Sequence, residues 1–211
     1  MAGKPLKTSA TDSPVGGVTK RPLSTDCYFS SLRGKSIAVV GSADYTVNPP
    51  ADSQGAEIDA HDVVIRFNSY TLNTEECRKY LGTRTDVWVI NYNNAVRLLR
   101  GKVPRPNSEY MLRRYKKFCA DPNKEVVTVG KPLKNLPISS PLEDYRGIIS
   151  ARPSSGLLCL YMFHLLLVPV DVYNFDFLQT THYYDDLPHN ARHDGEQERA
   201  FVEESHWITI R

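Results

Sequence analysis

Short apolar runs rich in β-branched residues recur along the chain between polar stretches. Lys35-Ser-Ile-Ala-Val-Val-Gly41 is the first, and Asp62-Val-Val-Ile-Arg-Phe-Asn68 the second. Thr85 to Asn91, Glu125 to Gly130 and Val170 to Phe175 follow. Such runs read as strands buried on both faces rather than alternating half-exposed ones. Segments of helical character separate them: Thr74 to Tyr80, Asn94 to Arg100, Ser108 to Phe118, and a last one over about Gly195 to Glu204. The clearest helix follows Pro153-Ser-Ser-Gly156. Ser154 or Ser155 is placed to cap it, and Pro169 stops it before the fifth strand. Continuous apolar strands alternating with helices predict an α/β domain around a mostly parallel twisted sheet.

The 211 residues suggest one domain. Residues 1 to 30 are rich in Lys, Thr, Ser, Pro and Gly without a period, and read as a flexible leader. The domain is then expected over residues 31–211. Lys and Arg number 26 against 24 Asp and Glu, a balance that gives no case for a nucleic-acid partner. The N-terminus lacks the apolar core of a secretory signal. The longest apolar run, Leu157 to Val170, is too short to span a bilayer and is interrupted by His164 and Pro169. A soluble chain without a transmembrane segment is expected, cytoplasmic or otherwise intracellular. Cys27, Cys77, Cys119 and Cys159 fit no zinc spacing and form no CxxC.

Three places carry candidate chemistry. Gly41-Ser-Ala-Asp44 follows the first strand, and its small residues allow a nucleotide close to backbone N–H groups. It is neither GxGxxG nor a P-loop, and an ordinary strand-end turn explains it equally well. The Ser154-Ser155-Gly156 turn opens a helix, where unpaired N–H groups and the positive dipole end suit a carboxylate or phosphate. Taken alone, it is better explained as a plain N-cap. The third place is polar and C-terminal: Thr181-His182-Tyr-Tyr-Asp185-Asp186, then His189, then His193-Asp-Gly-Glu-Gln-Glu198. It holds three of the six histidines. A zinc pair of His189 and His193, a solvated loop, or a catalytic and phosphate-binding segment each fit this spacing.

The order of these segments resembles the eukaryotic-type sialyltransferases. Ala38 to Ala43, Glu57-Ile-Asp59, His61-Asp62, Arg66-Phe-Asn68 and Gly82-Thr-Arg-Thr85 are similar to the large sialylmotif. Arg152-Pro-Ser-Ser-Gly-Leu157 through Val170-Asp-Val-Tyr173 and Phe175 is similar to the small one. The His-Tyr-Tyr-acid string at His182 and the His-x4-Glu of His193 to Glu198 are similar to the two short C-terminal motifs. The resemblance covers about Lys35 to Glu198.

It implies a single nucleotide-binding domain, a GT-A-like variant, and an inverting transfer of sialic acid from CMP-sialic acid to a glycan or glycolipid hydroxyl. By resemblance His193 is the base and His182 contacts the donor phosphate. Ser42, Ala43, Asn68, Asn91, Ser154, Ser155, Gly156 and Tyr183 line the donor site. No metal and no cofactor beyond the CMP-sugar co-substrate are implied. The chemistry agrees: a CMP-linked sugar carries one phosphate, which leaves without a divalent metal to bridge a diphosphate. What remains is to deprotonate the acceptor and steady the phosphate, and histidine does both near neutral pH. Glu198 stands five positions after His193, about 140° round a helix. It is expected to make a structural hydrogen bond, and Asp194 to cap.

The chain departs from the family at three points. The positions of the family's usual disulfide are Ile37 and Leu167, whose packing is expected to replace it in a reducing compartment. Ser42 stands where many members have Asn. The linker Val47 to Gln54 is long. Two alternatives remain open at this point: a transferase for another CMP-ulosonate such as CMP-Kdo, and a non-catalytic CMP-binding relative.

Overall fold

The computed structural model describes residues 25–47, 53–91, 98, 108–129, 149–184 and 192–211. Six strands form one sheet: β1 Ile37–Val40, β2 Val63–Phe67, β3 Val87–Asn91, β4 Glu125–Val129, β5 Val170–Tyr173 and β6 Ile208–Ile210. Their order is β4-β3-β2-β1-β5-β6, and every neighbouring pair is parallel. The chain builds outward from β1 through β2 and β3 to β4, then returns to the other side of β1 for β5 and β6. The crevice where strand order reverses lies outside the carboxyl ends of β1 and β5, the usual ligand position in such sheets.

Six helices are described: α1 Thr25–Ser30, α2 Gly55–Ala60, α3 Glu75–Leu81, α4 Ser108–Ala120, α5 Ser155–Leu166 and α6 Gly195–Glu204. They cover both faces. Ile37 and Val39 point to the side where Phe29, the α5 residues Leu157 to Phe163, and Val202 of α6 pack. Ala38 and Val40 point to the other side, against Ile58 of α2 and Cys77 and Leu81 of α3. Beside that face Met111 and Tyr115 of α4 pack with Trp88 and Ile90 of β3. Cover on both faces explains why β1 and β2 are buried at every position rather than alternately.

The five expected strands and the helices at 75–81, 108–120, 155–166 and 195–204 match the sequence reading to within a few residues. The expected helix at Asn94 to Arg100 lies outside the described residues, apart from the buried helical Leu98. Three elements were not foreseen: α1, α2 and β6. Helix α1 falls inside the stretch read as a flexible leader. It is held by Phe29, fully buried and stacked on Phe163 at 4.4 Å between ring centroids. The ordered part therefore starts before Ser31, and residues 1–24 lie outside the described residues. Ile37 is buried as expected, but Leu167 is 53% exposed. Leu167 forms the left-handed C-cap of α5, donating its N–H to the His164 carbonyl, so it does not pack in place of a disulfide. Among the described residues Cys77, Cys119 and Cys159 are thiols. No described helix is long and apolar enough to cross a membrane.

Candidate active site

The large-motif residues divide between a frame and a site. Asp59, in α2, accepts hydrogen bonds from the Thr83 N–H, the Thr83 hydroxyl and the Arg84 N–H at 2.7–2.9 Å. Arg84 returns to the Asp59 and His61 carbonyls at 2.7 Å. Buried Arg66 donates to Arg84, Thr85 and Leu81 oxygens. This lattice ties the end of α2 to the turn entering β3, at the amino ends of the strands. It holds the sheet rather than a ligand.

The site side begins at Gly41. A Cβ there would stand 2.3 Å from the Asn174 carbonyl oxygen, so the β1 loop passes close under the β5 loop. Asn174, left-handed at φ 55°, donates its amide to the Ala43 carbonyl at 2.9 Å. Ala43 forms an antiparallel bridge with His182, and the Tyr183 N–H reaches the Ser42 carbonyl at 3.2 Å. These bonds bring Ser42, Ala43 and His182 together at the switch point. The His182 ring stacks on Tyr184 at 5.0 Å between centroids.

The Tyr183 hydroxyl is engaged within the protein. It donates to the Thr71 carbonyl at 2.7 Å and accepts from the Thr71 N–H at 3.1 Å. The ring packs among the buried residues beneath the β2–α3 loop. Burial pushes its phenol well above the usual range. It anchors the His182 strap to a neighbouring loop.

Asn68 ends β2 in a left-handed conformation, φ 45°. Its side-chain oxygen accepts from the Asn91 N–H at 3.2 Å and the Asn91 amide at 3.4 Å, so the two expected donor-site asparagines are paired. The Asn68 carbonyl accepts from Trp88 Nε1 at 2.8 Å and from Arg114 at 3.3 Å.

At the start of α5 the Ser154 side chain accepts from the Leu157 N–H at 3.1 Å, a capping bond. Its own N–H and hydroxyl both donate to Glu198 at 2.7 Å. Both donors of Ser154 and one lone pair of its hydroxyl are thereby engaged within the protein. Gly156 faces Phe175, whose ring a Cβ would meet at 2.8 Å.

His193 enters from the start of α6. Asp194 caps that helix, accepting from the Gln197 N–H at 3.1 Å. The segment is sewn to the α5 approach: Arg152 N–H donates to the Arg192 carbonyl at 3.0 Å, and Ser150 N–H donates to Gln197 at 2.8 Å. His193 Nδ1 lies 2.6 Å from the Arg152 carbonyl oxygen. A carbonyl only accepts, so Nδ1 carries the hydrogen and Nε2 is the basic nitrogen of the neutral ring. An open cleft of about 550 Å³ lies beside it, walled by Phe177, Leu178, Gln179, Arg192 and Arg199. Phe177 and Leu178 both have positive φ, 55° and 69°. The Phe177 carbonyl oxygen would stand 1.9 Å from a Cβ on Gly195, so only glycine permits this approach. Backbone strain of this kind gathers at functional sites.

The zinc alternative depends on His189, which lies outside the described residues, as do Asp185 and Asp186. Among the described residues no three His, Cys, Asp or Glu are grouped to hold an ion.

Residues 18–118 match the model of glycosyltransferase family 29, the sialyltransferases. The chain is 42% identical over 83 residues to the beta-galactoside alpha-2,6-sialyltransferase 2 of Rattus norvegicus, covering 38% of this chain and 15% of that protein. It thus spans a small part of that relative's length. In structure it resembles a mammalian sialyltransferase with a TM-score of 0.51 and 15% identity, over 96% of this chain and 81% of that one. A mammalian sialyltransferase in complex with Gal-beta-1-3GalNAc-ortho-nitrophenol aligns with a TM-score of 0.47 and 19% identity, over 89% of this chain and 78% of that one. The family-model match ends before Ser154, His182 and His193. The sequence of residues 18–118, a little under half of the chain, is thus similar to glycosyltransferase family 29, and the fold is similar to that of a mammalian sialyltransferase.

Proposed function

We propose that the protein transfers sialic acid from CMP-sialic acid to a glycan or glycolipid hydroxyl, with inversion, with His193 as general base and without a metal. The observation that carries this reading is the 2.6 Å contact of His193 Nδ1 with the Arg152 carbonyl, two residues before the Ser154 turn. It fixes the tautomer that leaves Nε2 basic, and it couples that nitrogen to the turn at the α5 N-terminus.

In this reading Nε2 takes the proton from the acceptor hydroxyl as its oxygen attacks the anomeric carbon. The bond from that carbon to the phosphate oxygen breaks, and CMP leaves with the bonding electrons. Attack opposite the leaving group inverts the centre. His182, held at the β1–β5 crevice by its bridge to Ala43, hydrogen-bonds the departing phosphate. Ser42 and Ala43, the Asn68–Asn91 pair, and Ser155 with Gly156 border the CMP-sugar. The open cleft beside His193 receives the acceptor. A monophosphate leaving group needs no metal bridge between two phosphates.

A donor panel tests the substrate. Transfer or hydrolysis with CMP-sialic acid at least as fast as with CMP-Kdo is expected. Turnover of CMP-Kdo alone would replace the donor. CMP binding without any turnover over many acceptors would make the chain a binding relative.

A further inference from the structure

We infer that Arg114 is a positioning residue for the donor site, setting its affinity through the turn that carries Asn68. The inference rests on the proposed function, in which Asn68 borders the CMP-sugar. Arg114 lies 46 residues away in sequence, on the inner face of α4, and is 7% exposed. Its guanidinium bridges one turn at two points. One Nη donates to the Asn68 carbonyl at 3.3 Å, and the other donates to the Tyr70 carbonyl. Three aromatic rings fix its plane: Tyr70 at 3.7 Å, Tyr110 at 4.3 Å and Trp88 at 5.3 Å from the guanidinium carbon. The second lone pair of the Asn68 carbonyl is taken by Trp88 Nε1 at 2.8 Å.

The geometry explains what holds Asn68 at φ 45°. An asparagine reaches the left-handed region more readily than most residues, but still at a cost. A rigid fork donating to residues 68 and 70 favours that conformation, in which both carbonyls are satisfied. The same conformation sets the Asn68 side-chain oxygen against Asn91. The guanidinium thus meets two carbonyl oxygens of one turn and the faces of three rings. Lysine carries the charge but not the planar fork, and it reaches one carbonyl rather than two.

The test is CMP binding by calorimetry to the wild-type protein, Arg114→Lys, Asn68→Ala and the double variant, with steady-state kinetics alongside. Arg114→Lys is expected to weaken CMP binding about tenfold, the size of one lost hydrogen bond to a charged group. Donor KM should rise in step, with acceptor KM and kcat changed by less than about twofold, because the chemical groups are untouched. In the Asn68→Ala background the same substitution should add less than about twofold. Tyr110→Ala removes one ring from an exposed position and leaves the fold intact. It should weaken CMP binding roughly threefold, the scale of one cation–π contact, and have no effect once Arg114 is lysine. Equal CMP affinity in wild type and Arg114→Lys, or an undiminished loss in the Asn68→Ala background, would overturn the role of Arg114 alone. No CMP binding by the wild-type protein would overturn the proposed function and this role with it.

Discussion

Glu198 holds Ser154 from two sides, its Oε1 accepting the backbone N–H and its Oε2 the hydroxyl, each at 2.7 Å. The carboxylate therefore sits between two helix starts, four residues after the cap of α6 and against the cap of α5. This is the covalently remote link that fastens the segment bearing His193 to the proposed donor turn. Ser154 donates both of its hydrogens to this carboxylate, so the clasp uses every donor it has.

Burial raises the Glu198 carboxyl above its usual range, against the opposing effect of the Ser154 hydrogen bonds and the nearby His193. The folded state thus holds this proton more tightly than the unfolded chain. Its contribution to stability is full below the ordinary glutamate range and is lost as pH rises through the raised folded value. Glu198→Ala should lower stability by about 1–3 kcal/mol, because it strands the Ser154 N–H. Glu198→Gln should retain most of that stability and flatten the pH dependence across the window. Thermal melts of the three proteins from about pH 4 to pH 8 read both effects. Equal melting of the alanine and wild-type proteins would contradict the clasp.

Asp59 responds in the opposite sense. Burial acts to raise it, but hydrogen bonds from the Arg84 N–H and from Thr83 outweigh this and hold it below the ordinary value. A depressed carboxylate contributes stability above its unfolded value and loses it as pH falls through the folded one. Asp59→Asn should cost about 1–2 kcal/mol at neutral pH and little in acid, since an amide offers one acceptor oxygen to three donors. Denaturant titrations at neutral pH and near pH 3 measure the difference. A loss of the same size at both would remove Asp59 from the acid response.

Tyr183→Phe separates anchoring from donor contact. The hydroxyl is engaged on both sides of Thr71, so its loss should lower stability by about 1–2 kcal/mol. CMP affinity should stay within about twofold of wild type, with a modest loss of turnover as the His182 strap loosens. A large fall in CMP affinity with unchanged melting would restore Tyr183 to the donor site.

The legibility of this fold follows from the range of the forces involved. Strands β1 to β5 and helices α3 to α6 leave local signatures: apolar runs, a Thr74, Ser154 or Asp194 cap, and a proline beyond the stop. Helix α1 has six residues and no period, and it exists because Phe29 finds Phe163 far along the chain. Strand β6 is three residues at an edge, positioned by pairing with β5. The site divides in the same way. The Ser154 turn, Asn68 and the two histidines stand out by residue type and motif order. The role of Glu198 was half legible: helix geometry turns it away from His193, but its partner is 44 residues upstream. Arg114 left no local mark, since an arginine in a helix rich in basic residues reads as a solvated face. Only the tertiary contact with Asn68 distinguishes it. The bonds of Tyr183 to Thr71 were not legible, because a motif gives adjacency in sequence and not the direction of a ring.

The central claim is that His193 removes the acceptor proton. The direct measurement is turnover of CMP-sialic acid by His193→Ala, with CMP affinity determined on the same protein. The account predicts a fall in kcat of roughly 10²–10⁴-fold, the size of a lost general base, with CMP binding retained. Turnover equal to wild type would contradict it.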